Sequence, residues 1–274
     1  MERSRGRRFG AKAAVCALTV GSAWFGSTPR ARADATASPS PSPSPSPSPS
    51  PSPSPSPSPS PSAEAALPAV IELAETRDLP GVVIFPARAA GPRPITVLLH
   101  GMCGDAARAC SHFAEEVTKS ANLVCPRASQ RCAGGGASWP DKGVADAVES
   151  AVTRAKAALP AVDEMHGRTL IGYSMGAYRA LGIAQGGAGT YPRVMLIGAK
   201  VALDQTRLSE SGVQRLLLCA GNWDMMHDPM QRETERVRRS GFQARFLGLG
   251  PVGHSFTPSF SNYLPEALAW LSGT

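Results

Sequence analysis

Metal-ligand spacing is missing from this 274-residue chain. It has five histidines and six cysteines, yet no C-x-x-C and no H-E-x-x-H arrangement. Those patterns set ligands on one turn or one helix face, so no metal centre of either kind is expected. Gly134-Gly135-Gly136 lacks the Lys-Ser/Thr that completes a phosphate-binding loop, so no nucleotide site and no cofactor are expected either. A basic cluster on the folded part is also missing. Residues 1–33 carry Arg3, Arg5, Arg7, Arg8, Lys12, Arg30 and Arg32 against Glu2, a net of +6 out of +7 for the whole chain. The rest is nearly neutral, which excludes a nucleic-acid footprint. Between Ile197 and Gln214 there is no insertion long enough for a lid domain.

The front of the chain has its own character. Residues 1–12 are basic, 13–26 are mostly apolar, and Ala31-Arg32-Ala33 is a small-x-small site before Asp34. Residues 1–33 are therefore predicted to be a secretory signal peptide. The apolar zone falls short of the roughly 20 residues of a membrane-spanning helix, which makes an uncleaved anchor the alternative. An exported protein is expected, in the periplasm, the cell envelope or outside the cell. Residues 38–62 alternate serine and proline without a break. Every second residue lacks an N–H, so neither helix nor sheet can form. Residues 34–62 are predicted to be a linker of polyproline type, rising about 3.1 Å per residue. It would act as a stalk associating the protein with the cell envelope, carry sugars, or serve as an inert spacer.

Residues 63–274 alternate short apolar runs with helical stretches, the pattern of an α/β domain with a parallel sheet. Strands are predicted at 81–86, 95–100, 122–125, 169–173, 193–197, 214–220 and 243–247. Asp105 is placed to cap a helix that presents Ala106, Cys110, Phe113 and Val117 on one face. Further helices are predicted at 144–159, 175–184, 230–240 and 263–271, with a Gly-rich loop at 133–140.

The stretch 168–177 (RTLIGYSMGA) carries the chemistry. A buried strand runs into a helix through Gly172-Tyr173-Ser174-Met175-Gly176, the G-x-S-x-G nucleophile elbow. Serine needs a base to become a nucleophile, and the base needs an orienting acid. On such a fold the order is Ser, then Asp or Glu, then His, at the ends of successive strands. Gly221-Asn222-Trp223-Asp224 follows one strand and Gly253-His254 the next, so Asp224 and His254 are the expected partners of Ser174. Asp204 and Asp228 are rival acids. His100, His112 and His166 lie upstream of the elbow, and His227 is too near Asp224. The oxyanion donors are expected to be the N–H groups of Met175, after the nucleophile, and Met102, after His100-Gly101.

Residues 98–102 (LLHGM), 172–176 (GYSMG), 221–224 (GNWD) and Gly253-His254 together resemble the α/β-hydrolase superfamily, over about residues 82–271. The chain is most similar to the small lidless carboxylesterases, the branch holding acyl-protein thioesterases and dienelactone-hydrolase-like enzymes. Thioesterase-type members tend to have Gln where this chain has Met175, and dienelactone hydrolases have Cys where it has Ser174. The resemblance implies an α/β-hydrolase fold: a mostly parallel central sheet, helices on both faces and no lid. It implies cleavage of a small-molecule carboxylic ester; short or medium acyl groups are expected to be preferred, because no lid segment is there to bury a long chain. A serine peptidase or thioesterase on the same fold is the alternative, and a catalytically silent binding protein on a stalk is a third reading. Similar enzymes place an aromatic near the position of Trp139 against the substrate. Trp139 and Trp223, beside the acid, are the substrate-binding candidates, with core or loop packing as the other reading.

Cleavage after Ala33 removes Cys16. Cys103, Cys110, Cys125 and Cys132 surround the oxyanion segment, and two disulfides are expected among them in an oxidising compartment. Sequential pairing, Cys103–Cys110 and Cys125–Cys132, closes the shortest loops. A helix from Asp105 would carry Cys110 away from Cys103, however, and bridged Cα atoms must lie within about 7 Å, so pairing between the two loops stays open. Cys219 sits in an apolar strand and is expected to be a buried free thiol.

Overall fold

A computed structural model describes residues 70–187 and 190–273. The leader and the Ser-Pro run, with the predictions made for them, lie outside the described residues.

Long apolar runs became the centre of a sheet. Its strands are β1 (Ile71–Leu73), β2 (Val82–Phe85), β3 (Ile95–Leu99), β4 (Asn122–Pro126), β7 (Thr169–Tyr173), β8 (Arg193–Ile197), β9 (Arg215–Ala220) and β10 (Ala244–Gly248). A separate two-stranded ribbon pairs β5 (Gln130–Arg131) with β6 (Ala137–Ser138). The main sheet has the order β1-β2-β4-β3-β7-β8-β9-β10. β2 is antiparallel to both of its neighbours, and all pairs from β4 onward are parallel. β3 and β4 are buried along their full length, as strands covered on both faces must be.

Helices cover both faces. Alternate residues of one strand point to opposite sides, so the sheet has two cores. Val82, Val97, Leu99, Leu170, Leu196 and Leu218 pack with α2 (Val144–Ala158), α3 (Met175–Gly186), α4 (Gln205–Glu210) and α5 (His227–Arg239). Val83, Leu98, Ile171, Met195 and Leu217 pack on the other side with α1 (Ala106–Val117), a 3-10 turn (Pro258–Asn262) and α6 (Leu264–Ser272). Each fully buried aliphatic side chain contributes about 1.5–3 kcal/mol. The first helix forms as its sequence dictates: Asp105 is extended and its carboxylate accepts the Arg108 N–H at 2.8 Å. Ala106, Cys110, Phe113 and Val117 form its buried face.

Several elements differ from the sequence reading. β1, the β5–β6 ribbon and α4 were not expected. α5 begins at His227 rather than at 230, with Pro229 inside its first turn. Proline is tolerated there because first-turn N–H groups have no intrahelical partner. Residues 198–214 contain only the six-residue α4. No described helix is long and apolar enough to cross a membrane.

Two disulfides close, Cys103–Cys132 (Cα–Cα 5.7 Å) and Cys110–Cys125 (6.4 Å). Of the two arrangements left open, this is pairing between the two segments and not the sequential one. Cys110 lies on the buried face of α1, aimed at β4, so it meets Cys125 and leaves the loop residue Cys103 to Cys132. Cys219 is a fully buried free thiol, and desolvation pushes its pKa up.

Candidate active site

The carboxyl ends of parallel strands converge on one edge, where ligand sites of open α/β sheets form. β3 delivers residues 100–104, β7 delivers Ser174, β9 delivers Asp224 and β10 delivers His254.

Among the described residues only two non-glycines have positive φ, Ser174 (52°) and Cys103 (51°). One is the elbow serine and the other follows Met102. Strained backbone of this kind costs about 1–3 kcal/mol and gathers at functional sites. The elbow is possible because its flanks are glycine. A Cβ on Gly176 would lie 2.1 Å from the Leu99 carbonyl oxygen, and one on Gly172 would lie 2.5 Å from that of Gly176.

Ser174, His254 and Asp224 form one hydrogen-bonded chain. Asp224 Oδ2 lies 2.8 Å from His254 Nδ1, and His254 Nε2 lies 2.9 Å from Ser174 Oγ. The ionised carboxylate can only accept, so Nδ1 carries the proton and Nε2 is left to accept from the serine hydroxyl. The Asp224 side chain is 2% exposed and that of His254 is 42% exposed. The other carboxylate oxygen, Oδ1, accepts the Met226 N–H at 2.9 Å. Backbone bonds from Asn222 N to Gly250 O (2.8 Å) and Trp223 N to Val252 O (3.1 Å) lace the two partner loops together.

Other residues join this geometry without having been marked by the sequence. The Tyr173 hydroxyl donates to the His254 carbonyl (2.9 Å), and its ring stacks on the imidazole at 5.3 Å. Burial, then the charge of Asp224, pushes the Tyr173 pKa up to about 12, which keeps it a donor. Gly198, at φ +62°, passes so close that a Cβ there would lie 2.9 Å from His254 Cε1. The rival acids are engaged elsewhere: Asp204 caps α4 through the Arg207 N–H (3.1 Å), and Asp228 pairs with His227 (2.9 Å).

Met102 and Met175 flank Ser174 in a groove of about 370 Å³ completed by Tyr178 and Arg179. Met175 is the first residue of α3, at the helix end where backbone N–H groups lack the acceptors that a continuing helix would supply. The 100–104 turn is held from several sides. Gly104 N bonds Gly101 O (3.1 Å), Cys103 N bonds Ser138 Oγ (3.0 Å), and Cys103 is tied to Cys132. Trp139 is 2% exposed, and its indole N–H donates to the His100 carbonyl at 2.8 Å. The structure thus places Trp139 in the core beneath this turn, not on the groove. Trp223 is 75% exposed and lines a separate cleft with Met225, His227 and Arg232.

His100 is buried under the same turn. Its Nδ1 donates to Gly101 O (2.8 Å), and its Nε2 accepts the Ala128 N–H (3.3 Å). Desolvation by burial holds its pKa below the usual histidine value. A proton added at Nε2 would face another donor. The unfolded chain accepts that proton more readily, so this stabilisation is fully present above about pH 6.5 and is lost as pH falls through the lowered folded value. Burial lowers His112 as well, which adds slope of the same sign. Tm is expected to fall between pH 7 and 5, and to fall less steeply in His100→Gln. Identical Tm–pH slopes for the two proteins would refute this assignment.

A cavity of about 420 Å³ opens beside the 100–104 turn, but Ser174 is not among its lining residues. Its charges pair with one another, Arg127 with Glu72 (2.8 Å) and Arg131 with Glu75 (3.1 Å). Among the described residues, no three His, Cys, Asp or Glu side chains gather in a way that could hold a metal ion.

No protein-family model matches the chain, and no curated protein matches it in sequence. Solved structures do match in fold. One is FphF of Staphylococcus aureus, a fluorophosphonate-binding serine hydrolase solved with substrate bound. It is 13% identical with a TM-score of 0.58, over 74% of this chain and 98% of its own. A ferulic acid esterase is 13% identical with a TM-score of 0.58, over 74% of this chain and 96% of its own. Esterase PE8 is 17% identical with a TM-score of 0.55, over 69% and 97% respectively. The chain shares their α/β-hydrolase fold.

Proposed function

We propose that this chain is an exported serine hydrolase of carboxylic esters with short or medium acyl groups. One observation carries the reading: the unbroken chain from Asp224 through His254 to Ser174, at 2.8 and 2.9 Å. Nucleophilic catalysis needs those three roles at hydrogen-bond distances. The fold neighbours, named as serine hydrolases and esterases, support the reaction class.

The mechanism follows from the hydrogen-bond directions. His254 Nε2 takes the Ser174 proton as Oγ attacks the ester carbonyl carbon. The carbonyl oxygen becomes an oxyanion, received by the N–H groups of Met102 and Met175. The imidazolium, stabilised by Asp224, gives its proton to the departing alkoxide. The alcohol leaves and an acyl-serine remains. Water then attacks the acyl carbon while His254 takes its proton, and collapse releases the carboxylic acid and restores Ser174. Trp139, His100 and the Cys103–Cys132 bridge act on this chemistry by fixing the 100–104 turn, since a donor displaced by about 1 Å misses the oxyanion. The two disulfides support export, because such pairs persist in oxidising compartments.

The acyl preference rests on the groove. It is short and open, and the 198–214 segment adds no cover for a long chain. A panel of p-nitrophenyl butyrate, p-nitrophenyl palmitate, an acyl thioester and aminoacyl p-nitroanilides tests the reading. The highest kcat/KM is expected for butyrate. Faster turnover of the anilides would make the chain a peptidase, and faster turnover of palmitate would contradict the short-acyl reading.

A further inference from the structure

We infer that Arg179 makes the groove beside Ser174 an anion subsite, so that the enzyme prefers esters carrying a carboxylate beyond the scissile bond. This rests on the ester-hydrolase reading and narrows its substrate class.

The groove is mostly apolar. Met102, Met175 and the Tyr178 ring line it with Ser174, and Arg179 is its only charged lining residue. Ser174 caps α3 and Arg179 follows five positions on. At about 1.5 Å of rise per residue its Cα lies roughly 7.5 Å along the helix axis from that of Ser174, and its side chain leans back toward the helix N-terminus. An offset of that order suits a carboxylate several carbons from the ester carbonyl rather than one beside it.

The present partners of Arg179 leave it available. Its Nη2 bonds Asp141 Oδ1 at 2.7 Å and reaches the Trp139 carbonyl only at 3.5 Å. The Asp141 side chain is 95% exposed, so water and salt screen that pair and giving it up costs little. The Arg179 Nε is shut off from solvent, so a carboxylate in the groove would meet the two Nη groups, of which only Nη2 has a partner among the described residues. Guanidinium forks bind carboxylates through two parallel N–H donors, a geometry the single Asp141 contact does not satisfy. A substrate carboxylate in a groove with apolar walls would compete with Asp141 on favourable terms.

Arg179 could instead be a brace between α3 and the 137–141 loop. The two roles separate by the sign of two substitutions. Removing a brace from either end weakens the same contact. Removing the competitor Asp141 should strengthen an anion site, while removing Arg179 should abolish it.

The test compares monoethyl adipate with ethyl hexanoate, which share a six-carbon acyl chain and differ in the terminal carboxylate. Ethanol release gives kcat/KM for each in the full-length protein. Wild type is expected to favour the anionic ester by about tenfold or more, the scale of a charge-assisted hydrogen bond in a partly dry site. Arg179→Gln should reduce that ratio about tenfold, mostly through KM, and Asp141→Asn should raise it about two- to threefold. Equal turnover of both esters by wild type, or a ratio that Arg179→Gln leaves intact, overturns the anion subsite alone. If Arg179→Gln does not fold, Asp141→Asn still decides, because its substituted side chain is exposed: a ratio that fails to rise refutes the proposal. Failure of wild type to cleave either ester overturns the ester reading, and the subsite with it.

Discussion

Ser174→Ala is expected to lower kcat by on the order of 10⁵-fold with the fold retained. His254 Nε2 meets Ser174 Oγ at 2.9 Å, so in the proposed mechanism that hydroxyl is the one it activates. Its removal leaves the oxyanion donors and the groove, which catalyse only weakly by themselves. Little stability should be lost. The side chain is half-buried, and the backbone bonds from Ser174 N to Ile197 O (2.8 Å) and Ala177 N to Ser174 O (3.0 Å) do not involve it. Steady-state turnover of p-nitrophenyl butyrate, with circular dichroism as the folding control, checks this. Residual activity within a few-fold of wild type would remove Ser174 from the mechanism.

Asp224→Asn is the second large effect, with kcat lower by about 10³–10⁴-fold and KM little changed. The carboxylate does two things through Oδ2. It accepts the Nδ1–H of His254, which leaves Nε2 unprotonated, and its charge stabilises the imidazolium. An amide that turns its NH₂ toward Nδ1 imposes the opposite tautomer, in which Nε2 carries the proton and cannot take one from serine. Asp204→Asn and Asp228→Asn serve as controls, since those carboxylates cap α4 and pair with His227. Near-wild-type activity is expected for both. A loss in either that matched Asp224→Asn would reassign the acid.

Much of the fold was legible because local chemistry and burial agreed. The apolar run 95–99 had only one way to be covered on both sides, and Asp105 stood where its carboxylate could cap α1. The elbow was legible for a steric reason, since glycine at 172 and 176 admits the crossing backbone that any side chain would block. β1 was not legible: it has three residues, and its pairing with β2 defines it. The six-residue α4 has too few residues for a helical period to show. Trp139 was a groove candidate because similar enzymes place an aromatic near its position against the substrate. Its burial comes with a tilted ring contact to His100 (4.9 Å) and the bond to the His100 carbonyl, and neither leaves a trace in neighbouring residues. Disulfide pairing was hidden similarly, because it depends on which face of α1 meets β4. Gly198 reaches the site from the end of β8 only through the sheet order, which no spacing in the chain announces.

The central claim is that Ser174 is a nucleophile activated by His254. A fluorophosphonate probe followed by peptide mass spectrometry measures this directly, because it modifies only a serine whose proton has somewhere to go. The expected result is stoichiometric labelling of the peptide containing Ser174 in wild type, and labelling slowed by on the order of 10³-fold or more in a folded His254→Ala protein. Modification at another residue, or labelling of Ser174 at the same rate without His254, would contradict the account.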